Sequence, residues 1–182
     1  MPQRQPALPL LWLISDARND AVLEASLARL PRGSGFIFRH YHLEPQARRV
    51  RFAALKRIAR RHGHMVVLAG RAAEARRWGA DGAYGSPVAL ARGPALPRLV
   101  SVHGLREIGQ ARRGTAILLS PVFATASHPG ARPLGVQRFR ALAGWAQAPV
   151  IALGGMNLRR ARQLKWGSWA AIDGLSVVFG LV

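Results

Sequence analysis

Eight short apolar segments constrain the fold of this chain more than any other feature of its sequence. Each is separated from the next by a helical pattern or by turn-forming residues, and they span 10–17, 35–41, 65–69, 82–85, 99–104, 116–120, 149–155 and 169–174. Uniformly apolar strands are typical of a parallel sheet that is buried on both faces. Helices between successive strands favour right-handed crossovers. We therefore predict an α/β fold, a (β/α)8 TIM barrel, with an open doubly wound sheet as the alternative.

The length of the chain sets a limit on how complete this barrel is. Its 182 residues are best explained by a single domain over 1–182, yet barrels of this type usually need about 200 residues or more. One or two outer helices are therefore expected to be shortened or missing. The segment after the fourth strand, "SPVALARGPALPR", is broken by proline and glycine, and the chain stops at "VVFGLV" soon after the eighth strand. These two places are where helices are expected to be lost.

Local patterns in the first half of the sequence predict two helices and suggest a zinc site as an alternative interpretation of two histidines. The pattern over 20–30 predicts a helix, with Asn19 or Asp20 as its N-cap, and a second, arginine-rich helix is predicted over 45–62. His40 and His42 fall two residues apart in the second strand segment, so they would share one face. They would supply two zinc ligands, but the sequence shows no third.

Charge and composition narrow the class of partner. The formal net charge is +19, and Lys56 and Lys165 are the only lysines, so nearly all of the positive charge comes from arginine. Such a charge is typical of proteins with anionic partners: nucleic acid, membrane surfaces or phosphorylated small molecules. The arginines are spread along the chain, as in a general compositional bias, and no nucleic-acid recognition motif accompanies them. Nucleic acid is accordingly the least favoured partner.

Two further absences from the sequence bear on compartment and chemistry. The chain has no cysteine, which excludes disulfides and thiolate metal sites. It also has no apolar run of the roughly 18 or more residues that a membrane span needs. We predict a cytoplasmic protein without a membrane partner.

The loops that follow the last three strands carry the chemistry. In a barrel of this type ligands lie at the carboxyl ends of the strands. The loop 120–135, "SPVFATASHPGARPLG", follows the sixth strand, "ALGGMN" the seventh and "DGLS" the eighth. Gly154 and Gly155 allow the backbone to approach an anion closely, and Asn157 is placed to cap the helix that begins near Leu158. A phosphate-binding edge of the barrel is therefore predicted here.

Four motifs together resemble the thiamine phosphate synthase/TenI family. They are, in chain order, "WGADGAYGS", "VSVHG", "LLSPVFATASHPGARPLG" and "PVIALGGMN". The resemblance is specific from Leu99 to about Gly174 and looser before it. It implies a (β/α)8 barrel, in agreement with the eight apolar segments. It also implies phosphorylated small-molecule substrates.

The resemblance implies one of two activities. Synthases of the family join hydroxymethylpyrimidine diphosphate to thiazole phosphate, releasing pyrophosphate, through departure of pyrophosphate from a stabilised pyrimidine cation and attack by the thiazole nitrogen. TenI-like members are thiazole tautomerases that use a histidine, or bind thiazole phosphate without catalysis. At the end of the sixth strand, where those tautomerases have their histidine, this chain has Ser120. A synthase-like transferase is the favoured function.

Site residues follow from the same resemblance, position by position. Arg39 matches an arginine that contacts the diphosphate, and an arginine in an apolar segment needs an anionic partner. His128 aligns with a pyrophosphate-binding lysine, so Arg39 and His128 would neutralise the leaving group, while Ser120 would give a hydrogen bond. The residues expected to bind substrate or phosphate are Ser101, His103, Thr125, Gly154, Gly155, Asp173 and Gly174.

The family implies Mg²⁺, but the sequence departs from its metal-ligand pattern. The carboxylates that follow the third and fourth strands in synthases are replaced by Ala69-Gly70 and Ser86-Pro87. Mg²⁺ prefers carboxylate and phosphate oxygens, so no metal ligands are identified. Asp173 would either lie beside a bound phosphate or help to hold a metal in a rearranged site. A barrel flank exposed by a missing helix would favour a homodimer.

Overall fold

Eight parallel strands close into a barrel. The structure is a computed structural model that describes residues 8–127, 130 and 132–176. Every strand pairs in parallel with the next, and the eighth pairs with the first. The strands are β1 Leu11–Ile14, β2 Gly35–Phe38, β3 Met65–Ala69, β4 Gly82–Gly85, β5 Arg98–Val102, β6 Ala116–Leu119, β7 Val150–Ala152 and β8 Trp169–Ala171. The ring confirms the predicted TIM barrel and excludes the open sheet.

Six α-helices in the described ranges surround this barrel. They are α1 Leu23–Arg29, α2 Pro45–Arg61, α3 Ala72–Arg77, α4 Leu105–Gln110, α5 Gly135–Ala143 and α6 Leu158–Leu164, with short 3-10 helices at Ala17–Val22 and Asp173–Leu175. The stretch 86–97 contains only turns and bends, so the predicted loss of the helix after β4 is confirmed. The segment 177–182, where a second helix was expected to be lost, lies outside the described residues.

Alternation along the strands divides the apolar side chains between two cores. Inward-facing side chains such as Trp12, Ile14 and Leu118 fill the barrel, and the outward ones, such as Leu13 and Phe38, pack beneath the helices. This two-residue period is what a strand buried on both faces requires. At Gly35 the ring of Trp12 covers the backbone so closely that a Cβ would overlap it. The filled interior leaves the carboxyl ends of the strands as the place for a ligand.

The first two strands are shorter than the apolar segments predict, and the residues beyond them form turns. β1 ends at Ile14, and Asp16, rather than the predicted Asn19 or Asp20, caps the following 3-10 helix. Its side chain accepts a hydrogen bond from the N–H of Arg18, while Asn19 accepts one from the N–H of Asp16. The N-cap prediction was wrong because the helix begins one turn earlier, in 3-10 geometry.

The predicted pairing of His40 and His42 on a strand face was also wrong. β2 ends at Phe38, and His40 adopts a left-handed conformation with φ of 31°. His40 is fully buried, whereas His42 is exposed. Within the described ranges no three His, Asp or Glu side chains are grouped so as to hold a metal ion. The zinc alternative therefore has no support there.

None of the helices in the described part of the chain is long and apolar enough to cross a membrane.

Candidate active site

A cleft of about 770 Å³ opens at the carboxyl ends of the barrel strands. The inward-facing register leads directly into it: Ser101 and Ser120 each lie two residues beyond an inward-facing leucine, Leu99 or Leu118. His128 lies outside the described residues. All the other predicted site residues line the cleft: Arg39, Ser101, His103, Ser120, Thr125, Gly154, Gly155, Asp173 and Gly174. Residues distant in the sequence are thus brought to one surface.

Arg39 enters the cleft directly after β2, two residues beyond the inward-facing Ile37. Its side chain is only 21% exposed, and its nearest carboxylate, Asp16 Oδ2, is 3.9 Å away. The Nε atom is buried and has no hydrogen-bond partner within the described ranges. The guanidinium lines the cleft, and in the described ranges no carboxylate lies within hydrogen-bond distance of it, so this geometry favours an anion in the cleft.

A buried hydrogen-bonded chain supports the backbone at Arg39. The N–H of Arg39 donates to Ser15 Oγ at 2.8 Å, and Ser15 Oγ lies 2.7 Å from His40 Nδ1. His40 Nε2 lies 2.7 Å from Asp20 Oδ1. Since a carboxylate only accepts, Nε2 carries the proton and Nδ1 accepts from the serine hydroxyl. The serine, histidine and aspartate are connected in the same order as in a catalytic triad. Ser15 and His40 are fully buried, however, so the role of these hydrogen bonds is structural.

Charged residues beside the Ser15–His40–Asp20 network determine the protonation states of His40 and Asp20. Burial lowers the pKa of His40 below its usual value in spite of the Asp20 carboxylate. Burial opposes ionisation of Asp20, but hydrogen bonds from His40 and Arg51 lower its pKa overall. Arg51 also forms an ion pair with Glu24. A neutral histidine between a serine and an ionised aspartate is therefore the stable state of the network.

Arg48 binds backbone carbonyl groups at the carboxyl ends of β2 and β3. It donates from Nη2 to the carbonyl oxygen of Ala69 at 2.6 Å and from Nε to that of Arg39 at 3.3 Å. Its guanidinium lies over the rings of Phe38 and Trp78, at 5.6 and 5.3 Å from their centroids. These contacts join the ends of β2 and β3, so the backbone carbonyl of Arg39 is fixed as well as its amide.

His103 and Ser120 meet on the opposite wall of the cleft. Nδ1 of His103 lies 3.0 Å from the carbonyl oxygen of Ser120 and 3.2 Å from its Oγ. Because a carbonyl oxygen only accepts, Nδ1 carries a proton in this contact. His103 is exposed while Ser120 is buried. An imidazole ring and a hydroxyl thus lie together in the lining of the cleft.

The glycines after β7 and β8 are required by close packing of the loops. Gly154 and Gly155 have φ of 95° and 62°, in the left-handed region that favours glycine. A Cβ at Gly154 would lie 2.6 Å from Cα of Pro121, and one at Gly174 would overlap the carbonyl oxygen of Met156. The three loops therefore form one compact floor, and their backbones line the cleft.

Asn157 and Arg160 join this floor to α6. Asn157 caps the helix, as predicted, by accepting from the N–H of Arg160 at 2.9 Å. The Arg160 guanidinium donates to the carbonyl oxygens of Gly155 and Ala124 and lies over the ring of Phe123, 5.1 Å from its centroid. Arg160 also lines the cleft, so one side chain both ties two loops together and adds positive charge.

At the rim, Arg18 bridges the loop after β1 and the end of β8. Its guanidinium lies 3.1 Å from Asp16 and 3.3 Å from Asp173, and it donates to Ser127 Oγ at 2.8 Å. Although burial acts against ionisation of Asp16, the hydrogen bonds from Arg18 lower its pKa overall. Asp173 thus takes part in an ion-pair bridge that neither of the two sequence-based possibilities for it included.

The residues at the cleft do not fit a standard Mg²⁺ site. Such a site uses one or two free carboxylates together with substrate phosphates. The strand ends that would supply them carry Ala69-Gly70 and Ser86-Pro87. In the part of the chain that the structure describes, Asp173 is the only carboxylate in the lining of the cleft, and it is paired with Arg18.

Sequence reasoning missed several basic residues of the cleft. Arg132, Arg138 and Arg160 line it, and Arg18 lies at its rim. Each occurs in a loop after a strand or in the first turn of the helix that follows, which is the signal that could have identified it. In a chain with arginines throughout, that signal does not stand out.

Comparison with known proteins agrees with this geometry. The family model described as thiamine monophosphate synthase matches residues 11–181. Thiamine-phosphate synthase of Chloroflexus aurantiacus is 31% identical, over 94% of this chain and 84% of that protein. The thiamine biosynthesis bifunctional protein ThiM/ThiE of Symbiobacterium thermophilum is 32% identical over 98% of this chain, which corresponds to 39% of its own length. The solved thiamine phosphate pyrophosphorylase of Pyrococcus furiosus superposes with a TM-score of 0.76 at 25% identity, covering 96% of this chain and 88% of that one.

Proposed function

The chain belongs to the thiamine monophosphate synthase family, and we propose that it is a thiamine phosphate synthase. The reaction joins hydroxymethylpyrimidine diphosphate to thiazole phosphate. The bond between the pyrimidine methylene carbon and the diphosphate oxygen breaks, and pyrophosphate leaves with the electron pair. The lone pair of the thiazole nitrogen then forms the new C–N bond. The products are thiamine phosphate and pyrophosphate.

The observation that carries this proposal is the Arg39 guanidinium in the lining of the cleft, whose nearest carboxylate, Asp16 Oδ2, is 3.9 Å away. A leaving diphosphate gains negative charge as the C–O bond breaks, so a fixed cation beside it stabilises the transition state more than the ground state. The backbone of Arg39 is fixed by two hydrogen bonds: its N–H donates to Ser15 Oγ, and its carbonyl oxygen accepts from Arg48. The Arg39 side chain is only 21% exposed and its guanidinium lies over the ring of Tyr41, 5.6 Å from the centroid, which restricts its movement when the charge develops.

The thiazole phosphate is placed at the loops that follow β6, β7 and β8. Thr125 supplies a hydroxyl, and the backbones of Gly154, Gly155 and Gly174 line the same side of the cleft. Phosphate oxygens take hydrogen bonds from backbone N–H groups and hydroxyls of this kind. Binding at this floor holds the thiazole ring toward the centre of the barrel, so that its nitrogen approaches the pyrimidine carbon.

Ser101, Ser120 and His103 orient the heterocycles between the two phosphate groups. Ser101 and Ser120 continue the inward-facing positions of β5 and β6, and the ring of His103 is fixed by the carbonyl oxygen of Ser120. Hydroxyls and an imidazole suit the ring nitrogens and the amino group of a pyrimidine. His128 is proposed to bind the leaving diphosphate, because it aligns with a pyrophosphate-binding lysine of the family.

Phosphorylated small molecules are the partners, and the cytoplasm is the expected compartment. A homodimer stays a prediction from the incomplete ring of outer helices. The tautomerase alternative gains no support, since Ser120 stands where its histidine would be required.

Turnover by the purified protein tests the proposal. Hydroxymethylpyrimidine diphosphate and thiazole phosphate are supplied together, and thiamine phosphate and pyrophosphate are measured as they appear. Equal amounts of the two products, with loss of activity in Arg39→Ala, would support the synthase. A protein that isomerises thiazole carboxylate phosphate, or binds thiazole phosphate without any product, would belong to the alternative.

A further inference from the structure

We propose that this protein neutralises the diphosphate with its own guanidinium groups and works without a bound divalent cation. The inference rests on the proposed function, because it concerns the diphosphate of that reaction. It follows from three observations: the arrangement of every carboxylate in the chain, the position of Arg18, and the arginines around the cleft.

The chain has few carboxylates, and nearly all are engaged elsewhere. It contains only 8 Asp and Glu residues, and all lie in the described ranges. Five of them bind basic side chains or backbone amides and do not themselves line the cleft: Asp20 and Glu24 bind Arg51, Glu74 contacts Arg48, Asp81 binds Arg60 and an amide, and Glu107 binds the amide of His103. Glu44 is exposed at the start of α2. Asp16 and Asp173 remain.

Arg18 occupies the position between these two carboxylates. Its contacts of 3.1 Å to Asp16 and 3.3 Å to Asp173 place a fixed positive charge where a divalent cation would have to lie to use both. A third contact, 2.8 Å to Ser127 Oγ, holds the guanidinium from the loop after β6. A metal ion would have to displace Arg18 and overcome the repulsion of its charge.

The cleft already carries the positive charge that a metal would supply. Arg39, Arg132, Arg138 and Arg160 line it, and Arg18 lies at its rim. A guanidinium presents several N–H donors in a planar fork that suits phosphate oxygens. Asp173 is the only carboxylate among the described lining residues. The balance of charge in this cleft therefore suits a free diphosphate rather than a diphosphate that brings its own Mg²⁺.

Calorimetric binding of inorganic pyrophosphate tests this inference without requiring turnover. The wild-type protein is titrated in EDTA and again in excess Mg²⁺, and product formation is measured under both conditions. We expect pyrophosphate to bind in EDTA, with an affinity within about threefold of that in Mg²⁺, and thiamine phosphate to form in both. Arg39→Ala should weaken binding in EDTA at least tenfold. Arg57→Ala removes the same charge from an exposed position on α2 and should leave binding unchanged.

The outcomes separate this inference from the proposed function. Binding or turnover that occurs only with Mg²⁺ would overturn the inference while the synthase activity stands. Pyrophosphate binding in EDTA that depends on Arg39, without any turnover, would reject the proposed function but support metal-independent binding of the diphosphate. Equal loss of binding in Arg39→Ala and Arg57→Ala would show that overall charge, not the cleft, binds the anion, and would also overturn the inference.

Discussion

The hydroxyl of Ser15 lies 2.7 Å from Nδ1 of His40, and this buried contact joins the ends of the first two barrel strands. The same hydroxyl accepts the backbone N–H of Arg39, and the far side of the imidazole is bound by Asp20. Arg39 therefore rises into the cleft from a backbone that is fixed by buried hydrogen bonds. This hydrogen-bond network therefore affects substrate only through Arg39, the residue that it positions.

His40→Ala should weaken pyrophosphate binding by an amount that a conservative variant restores. Removing the ring leaves Ser15 and Asp20 without their shared partner, at a cost of about 1–3 kcal/mol for the unsatisfied groups. We expect pyrophosphate affinity and kcat/KM to fall about tenfold in His40→Ala. His40→Asn keeps an acceptor near Nδ1 and should recover part of the loss. Unchanged pyrophosphate affinity in His40→Ala would contradict the positioning role.

Stability should decrease as the pH falls below about 6.5. Burial lowers the pKa of both His40 and His64. Below the usual histidine pKa the unfolded chain takes up protons at these positions while the native state resists them, so the free energy of unfolding falls. Denaturant unfolding between pH 7.5 and 5 measures this slope. His64→Gln keeps a donor for the carbonyl oxygen of Leu27, which His64 binds through Nε2 at 2.8 Å, and should flatten the slope. An equal slope in that variant would argue against the contribution of His64.

Arg39 should be sensitive to geometry as well as to charge. Removal of a single preorganised group that stabilises developing charge lowers kcat by about 10²–10³-fold in other enzymes, and we expect a loss of that size in Arg39→Ala. Arg39→Lys keeps the charge but not the planar fork, so its activity should lie between those of Arg39→Ala and the wild type. Steady-state kinetics of the three proteins measure this order. Activity of Arg39→Ala within threefold of the wild type would remove Arg39 from the mechanism.

The close approach of Gly154 to Pro121 should make this glycine difficult to replace. Alanine there would adopt a positive φ and clash with the backbone of the loop after β6. We expect Gly154→Ala to lose about 1–3 kcal/mol of stability and to weaken thiazole phosphate binding. Gly109 in α4 has open space around it, so Gly109→Ala should be neutral or stabilising. Thermal unfolding and thiazole phosphate titration of both variants provide the comparison, and equal behaviour would contradict the packing argument.

Strand order and the location of the cleft could be predicted because they depend on local patterns. Eight apolar segments define eight strands, and parallel strands bring the loops at their carboxyl ends to one edge. Asn157 was predictable as a cap because capping is a property of adjacent residues. Ser101 and Ser120 continue the two-residue period of their strands.

The details at the strand ends were not predictable in the same way. The segment that contains Arg39 and His40 continues the apolar pattern of β2, yet His40 leaves the strand because distant residues, Ser15 and Asp20, bind its ring. Arg18 and Asp173 come from opposite ends of the sequence, and no local pattern links them. Contacts of this kind depend on the closed barrel, which brings β1 beside β8.

A crystal structure with both products, thiamine phosphate and pyrophosphate, would test the central claim most directly. The account predicts that both occupy the cleft at the carboxyl ends of the strands. The guanidinium of Arg39 would then donate to a pyrophosphate oxygen, and the phosphate of thiamine phosphate would lie against Thr125 and the backbone of Gly154 and Gly155. Products bound elsewhere, or pyrophosphate in the cleft without contact to Arg39, would contradict it.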